Sequence, residues 1–304
     1  MKPKALVDLA GGSTHYFEQI RLLAMISLFA DDDLLEHIVL KGGNVLALLY
    51  DMANRTSMDV DASLAGDFPW EIKETEERLV AAFGRVFGSE GLEVFDTKLV
   101  PKPRFRKEGA DRRFGGYEFA FKVIEKEQSG KYAGRAERKS AEATVVGPAQ
   151  ERTFTVDFSV YEHIVKQEFN VKGYRIQAYS LDLIAVEKLR AICQQFPGYL
   201  GRKGRSSRSR DFFDIYHLVE EGRVNFLDRE TLSLVRPVFE AKAVPLDYLA
   251  RLDEVFDLHA QSFDGLKATV PASVEMKSFE FYFEYVKKIS SAVYRELTQS
   301  SSAG

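Results

Sequence analysis

Three aspartates have the type and spacing to do chemistry. Asp59 and Asp61 stand two residues apart in Ser57-Met58-Asp59-Val60-Asp61-Ala62-Ser63-Leu64. Alternate residues of a strand face opposite sides. Both carboxylates therefore share a face with Ser57 and Ser63, and Met58, Val60, Ala62 and Leu64 form the other. Two carboxylates so placed can grip one divalent cation, and Mg²⁺ needs few protein oxygens when a triphosphate supplies the rest. Residues 153–160 repeat the pattern: Phe154, Val156, Phe158 and Val160 alternate with Thr153, Thr155, Asp157 and Ser159. A carboxylate from this second strand, Asp157, would admit a second metal roughly 3.5–4 Å from the first, which suits phosphoryl-type transfer. A bare D-x-D also suits the wet face of a half-buried sheet, and the pattern alone leaves both readings open.

The loop Lys41-Gly42-Gly43-Asn44 precedes the D-x-D strand by one short helix. A glycine pair before a helix lets backbone approach a ligand, and the free N–H groups of a helix start suit a phosphate. An ordinary tight turn fits the same residues. Arg55 and Ser57 lead into the strand and are placed either to touch a phosphate or to sit on the surface. Lys188 lies at the edge of the apolar stripe Leu181, Ile184, Leu189, Ile192 and Phe196. Asp211 and Asp214 share one face of the next helix, beside Ile215 and Leu218. A buried lysine needs a carboxylate and a buried carboxylate needs a cation. A structural Lys188–Asp211 pair and a catalytic lysine oriented by Asp211 both meet that demand.

Basic residues crowd two stretches. Arg202, Lys203, Arg205, Arg208 and Arg210 come with no acid among them, and residues 98–113 hold a second run. Such runs can guide a nucleic-acid backbone, or simply face water. The whole chain, at a formal net charge of −4, is not a basic nucleic-acid binder. The histidines are scattered and show no zinc spacing. Cys193, the one cysteine, reads as a buried small residue, and a chain with a single cysteine forms no internal disulfide. That suits the cytoplasm. No apolar run approaches the roughly 20 residues that span a bilayer, so no membrane association is expected.

The elements that must position these residues follow from periodicity. Helical spacing predicts helices over 16–29, 45–49 and 70–87. Strand-like stretches are 57–64, 92–99, 117–123 and 153–160. Ser180 is a candidate N-cap for a helix running to about Phe196, and another helix covers about 210–221. Beyond that only helices are expected, with breaks near Pro237, Pro245 and Pro271. The expected organisation is an α/β domain over 1–178 followed by an α-helical domain over 179–304.

Taken in order, five pieces resemble the AbiEii family, the toxins of type IV toxin–antitoxin and phage abortive-infection systems. They are Leu40-Lys41-Gly42-Gly43-Asn44, Arg55-Thr56-Ser57-Met58-Asp59-Val60-Asp61, Val156-Asp157, Glu187-Lys188-Leu189-Arg190-Ala191, and Arg210-Asp211-Phe212-Phe213-Asp214-Ile215-Tyr216. The family often has Ser or Thr after the glycine pair, where this chain has Asn44. The resemblance implies an α/β fold: a polymerase-β-type nucleotidyltransferase domain with a mixed sheet, then a helical domain. It implies Mg²⁺ (or Mn²⁺) at Asp59 and Asp61, to which the strand reading above adds Asp157 as the third carboxylate. It also implies a nucleotide-contacting lysine at Lys188 and an essential aspartate at Asp211. The expected substrate is a nucleoside triphosphate (NTP). The expected acceptor is RNA, the 3′ end of tRNA, guided by Arg202, Lys203, Arg205 and Arg208, with translation blocked as the result. A cognate antitoxin protein is the expected partner. The alternatives are a nucleotidyltransferase that modifies a protein or small molecule, and a non-catalytic binding module.

Overall fold

A computed structural model describes residues 13–52, 60–103, 114–146, 151–199 and 204–300. The chain divides into two compact units. One comprises Met1–Asn44, Met58–Tyr161 and Lys166–Ala178; the other comprises Val45–Ser57, Glu162–Val165 and Tyr179–Gly304. Among the described residues no helix is long and apolar enough to cross a membrane.

The elements leading to and through the sheet are, in chain order, α1 (Ser13–Ser27), α2 (Asp32–His37), β1 (Ile38–Lys41), α3 (Gly43–Leu49), β2 (Val60–Leu64), α4 (Ile72–Ser89), β3 (Leu92–Lys102), β4 (Gly116–Glu125), α5 (Lys126–Gly130), α6 (Ala136–Ala141), β5 (Phe154–Ser159), β6 (Lys166–Val171) and β7 (Tyr174–Tyr179). The seven strands form one sheet in the order β3-β4-β5-β2-β1-β7-β6. The sheet is mixed: β2 runs parallel to β5 and β1 parallel to β7, while β1–β2, β3–β4 and β4–β5 are antiparallel.

Alternation along the central strands separates two faces. On one, Phe83 of α4 meets Phe119 and Phe121 of β4 at ring-centroid distances of 5.1 and 5.0 Å. Phe121 stacks on Phe154 of β5 at 5.4 Å, and Phe17 of α1 covers Phe154 at 5.6 Å. Phe83, Phe119 and Phe121 have no exposed surface. Each such ring stabilises the fold by about 1.5–3 kcal/mol relative to leaving it in water. A one-residue slip of β2 or β5 would turn this apolar set outward, so the packing of Val60, Ala62, Val156 and Phe158 holds Asp61 and Asp157 on the opposite face.

The second unit contains α7 (Leu181–Cys193), α8 (Ser209–Glu220), α9 (Arg229–Ala241), two 3₁₀ turns (Leu246–Ala250 and Leu252–Val255), α10 (Phe256–Ala260), α11 (Phe263–Lys267) and α12 (Phe279–Ser300). Ser180 caps α7, its hydroxyl accepting from the Leu183 N–H at 3.2 Å. Aromatic rings close the core: Phe212 stacks on Phe283 at 5.5 Å and Phe213 meets Tyr282 edge-on at 5.6 Å.

Periodicity does not report the short helices α2, α5 and α6, and the structure also departs from expectation at β3, at the β6–β7 pair and at Pro237. The strand expected to end at Leu99 continues to Lys102, through Pro101. As an edge strand, β3 tolerates a residue without an N–H. The pair β6 and β7 was not expected; its turn is Lys172-Gly173, both at positive φ, the backbone a tight hairpin requires. Pro237 lies inside α9 instead of breaking it. The carbonyl four residues back belongs to exposed Ser233, where water can satisfy it, while buried Val235, Val238 and Phe239 hold the helix in place.

Candidate active site

In the α/β unit, strand register builds one acidic row across the sheet. Lys41 of β1 is the Cα partner of Asp61 on β2, Asp61 is the partner of Asp157 on β5, and Asp157 is the partner of Glu118 on β4. Residues so paired project from the same face. Asp61 and Asp157 are thus direct neighbours on adjacent parallel strands, and Glu118 extends the acidic row by one strand. Sequence reasoning missed Glu118, although its place between Tyr117 and Phe119 marks it as polar-face.

Gly42 ties the glycine loop to this row. Its φ is +79°, a region that L side chains rarely adopt, and a Cβ placed there would lie 2.9 Å from Asp61 Oδ2. The loop backbone therefore passes against the Asp61 carboxylate with no room for a side chain. Gly43 opens α3, and Asn44 behind it is buried, its Oδ1 accepting from Arg21 Nη1 at 3.0 Å. Part of the amide that the sequence offers to a phosphate is thus bound to a guanidinium inside the fold. Ser63, on the Asp61 side of β2, is fully buried. Arg55, Ser57 and Asp59 lie outside the described residues.

A cation already sits on the row. Lys102, the last residue of β3, places Nζ 2.6 Å from Asp157 Oδ1 and 2.7 Å from Glu118 Oε2. Partial burial pulls the pKa of this ammonium down, but its hydrogen bonds and its charge pairing with Asp157 and Glu118 outweigh that and raise it. Among the described residues, no three His, Cys, Asp or Glu side chains gather closely enough to hold a metal ion.

The helical unit holds a second cluster. Lys188 on α7 is buried, and its Nζ lies 3.2 Å from Asp211 Oδ1 and 2.6 Å from Asp214 Oδ2 on α8, both carboxylates being buried too. The α7 stripe carries Lys188 into the core edge, and the i, i+3 spacing brings both aspartates to meet it. Arg208 approaches Asp211 from the other side at 3.8 Å. Arg190, two residues beyond Lys188, turns elsewhere: it pairs with Glu187 and donates to Gln194 Oε1 at 2.7 Å.

Of the basic loop, Arg202 and Lys203 lie outside the described residues. Arg205 is exposed but anchored, its Nε donating to the Gln195 carbonyl at 2.8 Å. Cys193 is fully buried, and burial pushes its thiol pKa far up, so it does not supply a thiolate nucleophile.

Residues 23–284 match the family described as "Nucleotidyl transferase AbiEii toxin, Type IV TA system". The chain belongs to the AbiEii family. As an AbiEii protein it is a nucleotidyltransferase, and the non-catalytic alternative is set aside. Membership in a type IV toxin family implies an NTP substrate and an antitoxin partner. No curated protein matches the chain by sequence. Among solved structures, JHP933 from Helicobacter pylori is similar at 16% identity, covering 96% of this chain and 97% of that one, with a TM-score of 0.47. MenT4, a nucleotidyltransferase toxin from Mycobacterium tuberculosis, is similar at 13% identity, covering 93% of this chain and 84% of that one, with a TM-score of 0.48. The family assignment rests on the sequence match.

Proposed function

We propose that this AbiEii protein uses Mg²⁺ or Mn²⁺ to transfer a nucleotide from an NTP to an RNA acceptor, the 3′ end of tRNA, and thereby stops translation. The observation that carries the reading is the direct register of Asp61 with Asp157, with the Gly42 backbone drawn against Asp61. Hard carboxylate oxygens on a half-exposed face, beside a loop stripped of side-chain bulk, fit a hard divalent cation that carries a polyphosphate. Asp59, Asp61 and Asp157 would hold that cation. When bound, it supplies charge neutralisation for the triphosphate and for the leaving pyrophosphate.

The chain's own residues do the rest. Lys41, Gly42, Gly43, Asn44, Arg55 and Ser57 receive the phosphates. The acceptor hydroxyl oxygen bonds to the α-phosphorus, the bond to the bridging oxygen breaks, pyrophosphate leaves, and the hydroxyl proton passes to Asp157. Among the described residues Lys102 engages only Oδ1 of Asp157, so Oδ2 is the oxygen assigned to the acceptor. Lys188, held by Asp211 and Asp214, neutralises triphosphate charge, since this chemistry depends mostly on positioning and electrostatics. Arg202, Lys203, Arg205 and Arg208 guide the RNA backbone.

The test incubates purified protein with each labelled NTP, total RNA and Mg²⁺ or Mn²⁺, then separates the products on a gel. Label is expected in small RNA for the wild type and to be lost in Asp59→Ala and Asp61→Asn. Label entering protein or a small molecule, or full activity in either variant, overturns the reading.

A further inference from the structure

Asp157 and Glu118 are Cα partners on adjacent antiparallel strands, with side chains on one face. Like charges set directly opposite destabilise a sheet unless a cation is shared between them. Lys102 is that cation, within 2.7 Å of both carboxylates. Its route is built into the sheet. Lys102 is paired with Gly116, which in turn is paired with Ser159 on β5. A Cβ at position 116 would lie 1.9 Å from the Phe158 carbonyl oxygen, so only glycine fits. No side chain therefore stands at that point of β4, between Lys102 and the strand that carries Asp157.

From this arrangement we propose that Lys102 is a positioning residue for the transfer reaction: a tethered cation that holds Asp157 in place and moderates its attraction for the divalent metal. The inference rests on the active-site reading above. Two carboxylates and one ammonium leave this corner of the site with a net charge of −1; without Lys102 it carries −2. A corner at −1 pulls weakly on a free divalent ion and leaves capture to the metal–nucleotide complex. The ammonium also restrains Oδ1, which keeps Oδ2 aimed at its task.

Two variants shift the corner charge in opposite directions. Lys102→Met removes the cation, so Mn²⁺ should bind the nucleotide-free protein tighter, on the order of tenfold, from the lost repulsion at short range. Its kcat should fall, by up to about a hundredfold, because Asp157 loses its restraint. Lys102→Arg should restore both values. Glu118→Gln gives the ammonium wholly to Asp157, so Mn²⁺ should bind more weakly. Mn²⁺ affinity is read by electron paramagnetic resonance of the free ion, on full-length protein whose melting temperature is checked. The side chains of Lys102 and Glu118 are 44% and 25% exposed, so neither change opens a core. If Lys102→Met does not fold, Glu118→Gln still decides the sign. Unchanged Mn²⁺ affinity in the folded variants, or shifts of the same sign in both, overturns the role. Asp61→Asn serves as the control. If it still binds Mn²⁺ normally, the carboxylate site itself is wrong. If it loses Mn²⁺ while Lys102→Met is unchanged, only the role of Lys102 falls.

Discussion

Lys188 Nζ lies closer to Asp214, at 2.6 Å, than to Asp211, at 3.2 Å. The aspartate expected from the sequence to orient the lysine is therefore one of two, and both carboxylates share the one buried ammonium, with Arg208 3.8 Å from Asp211. Removing the Lys188 ammonium alone takes away that shared buried charge, with Arg208 still beside Asp211. Lys188→Met should cost about 3–5 kcal/mol in urea unfolding. Adding Asp211→Asn and Asp214→Asn to Lys188→Met removes the stranded charges and should recover much of that loss. Transfer activity should stay absent in the triple variant. Activity returning with stability would make Lys188 a structural residue only.

Gly42 faces two independent constraints. Its φ of +79° costs an L residue about 1–2 kcal/mol, and an added Cβ meets Asp61 Oδ2 at 2.9 Å. The carboxylate is the movable end of a side chain, so the expected response of Gly42→Ala is displacement of Asp61 with a folded protein. Transfer should drop roughly tenfold or more from misplacement, while the melting temperature falls by only a few degrees. Wild-type kcat/KM in Gly42→Ala would separate the loop from the carboxylate site.

How much of this was legible without coordinates depends on where the partners lie. Alternation with period two is a local property, so the shared face of Asp157, Thr155 and Ser159 could be read directly from residues 153–160. The adjacency of Asp61 and Asp157 could only be surmised, because it depends on β5 pairing with β2 across nearly a hundred residues of chain. The sequence shows Lys102 only as one of the basic residues of 98–113, because its place in the sheet depends on β3 continuing through Pro101 at an edge. The β6–β7 pair escaped because Lys166-Gln167-Glu168-Phe169-Asn170-Val171 is largely exposed and carries no apolar stripe. Asn44 looked free to meet a phosphate because its partner Arg21 stands 23 residues earlier, on a helix whose packing no local pattern reports.

His259 should give the helical unit a measurable pH dependence. It has no exposed surface, its Nδ1 accepts the Arg208 N–H at 3.1 Å, and its ring lies 5.2 Å from Phe212. Burial lowers its pKa from 6.5 to about 4, against the opposing pull of Asp211. The folded state thus keeps the ring neutral where the unfolded chain protonates it. Above pH 6.5 neither state holds the proton and the contribution is complete. As pH falls from 6.5 to about 4 the unfolded state binds the proton first, and stability drops by roughly 3 kcal/mol in all. His259→Asn keeps an acceptor for Arg208 and removes the titration, so its urea midpoint should fall less over this window. His217, also lowered mainly by burial, leaves a residual slope in the variant. An unchanged slope in His259→Asn would assign the effect elsewhere.

The basic loop should separate into residues that bind RNA and residues that hold the loop. Arg205 Nε donates to the Gln195 carbonyl at 2.8 Å, and the next residue, Ser206, donates its N–H to Gln195 Oε1 at 2.9 Å. Ser207 donates to the His259 carbonyl at 2.6 Å. These contacts fix the loop on the helical unit, so Arg205→Glu should change stability as well as binding. Arg202→Glu with Lys203→Glu tests the electrostatic role without touching those bonds. If each residue neutralises one phosphate, the salt dependence of RNA binding should lose about two counterions, and the log–log slope should flatten by close to that number. Binding should weaken most at low salt and converge with wild type at high salt, since screening shortens the reach of every exposed charge. A uniform loss at all salt concentrations would point to a disturbed fold, and no loss at any would leave this loop as plain solvated surface.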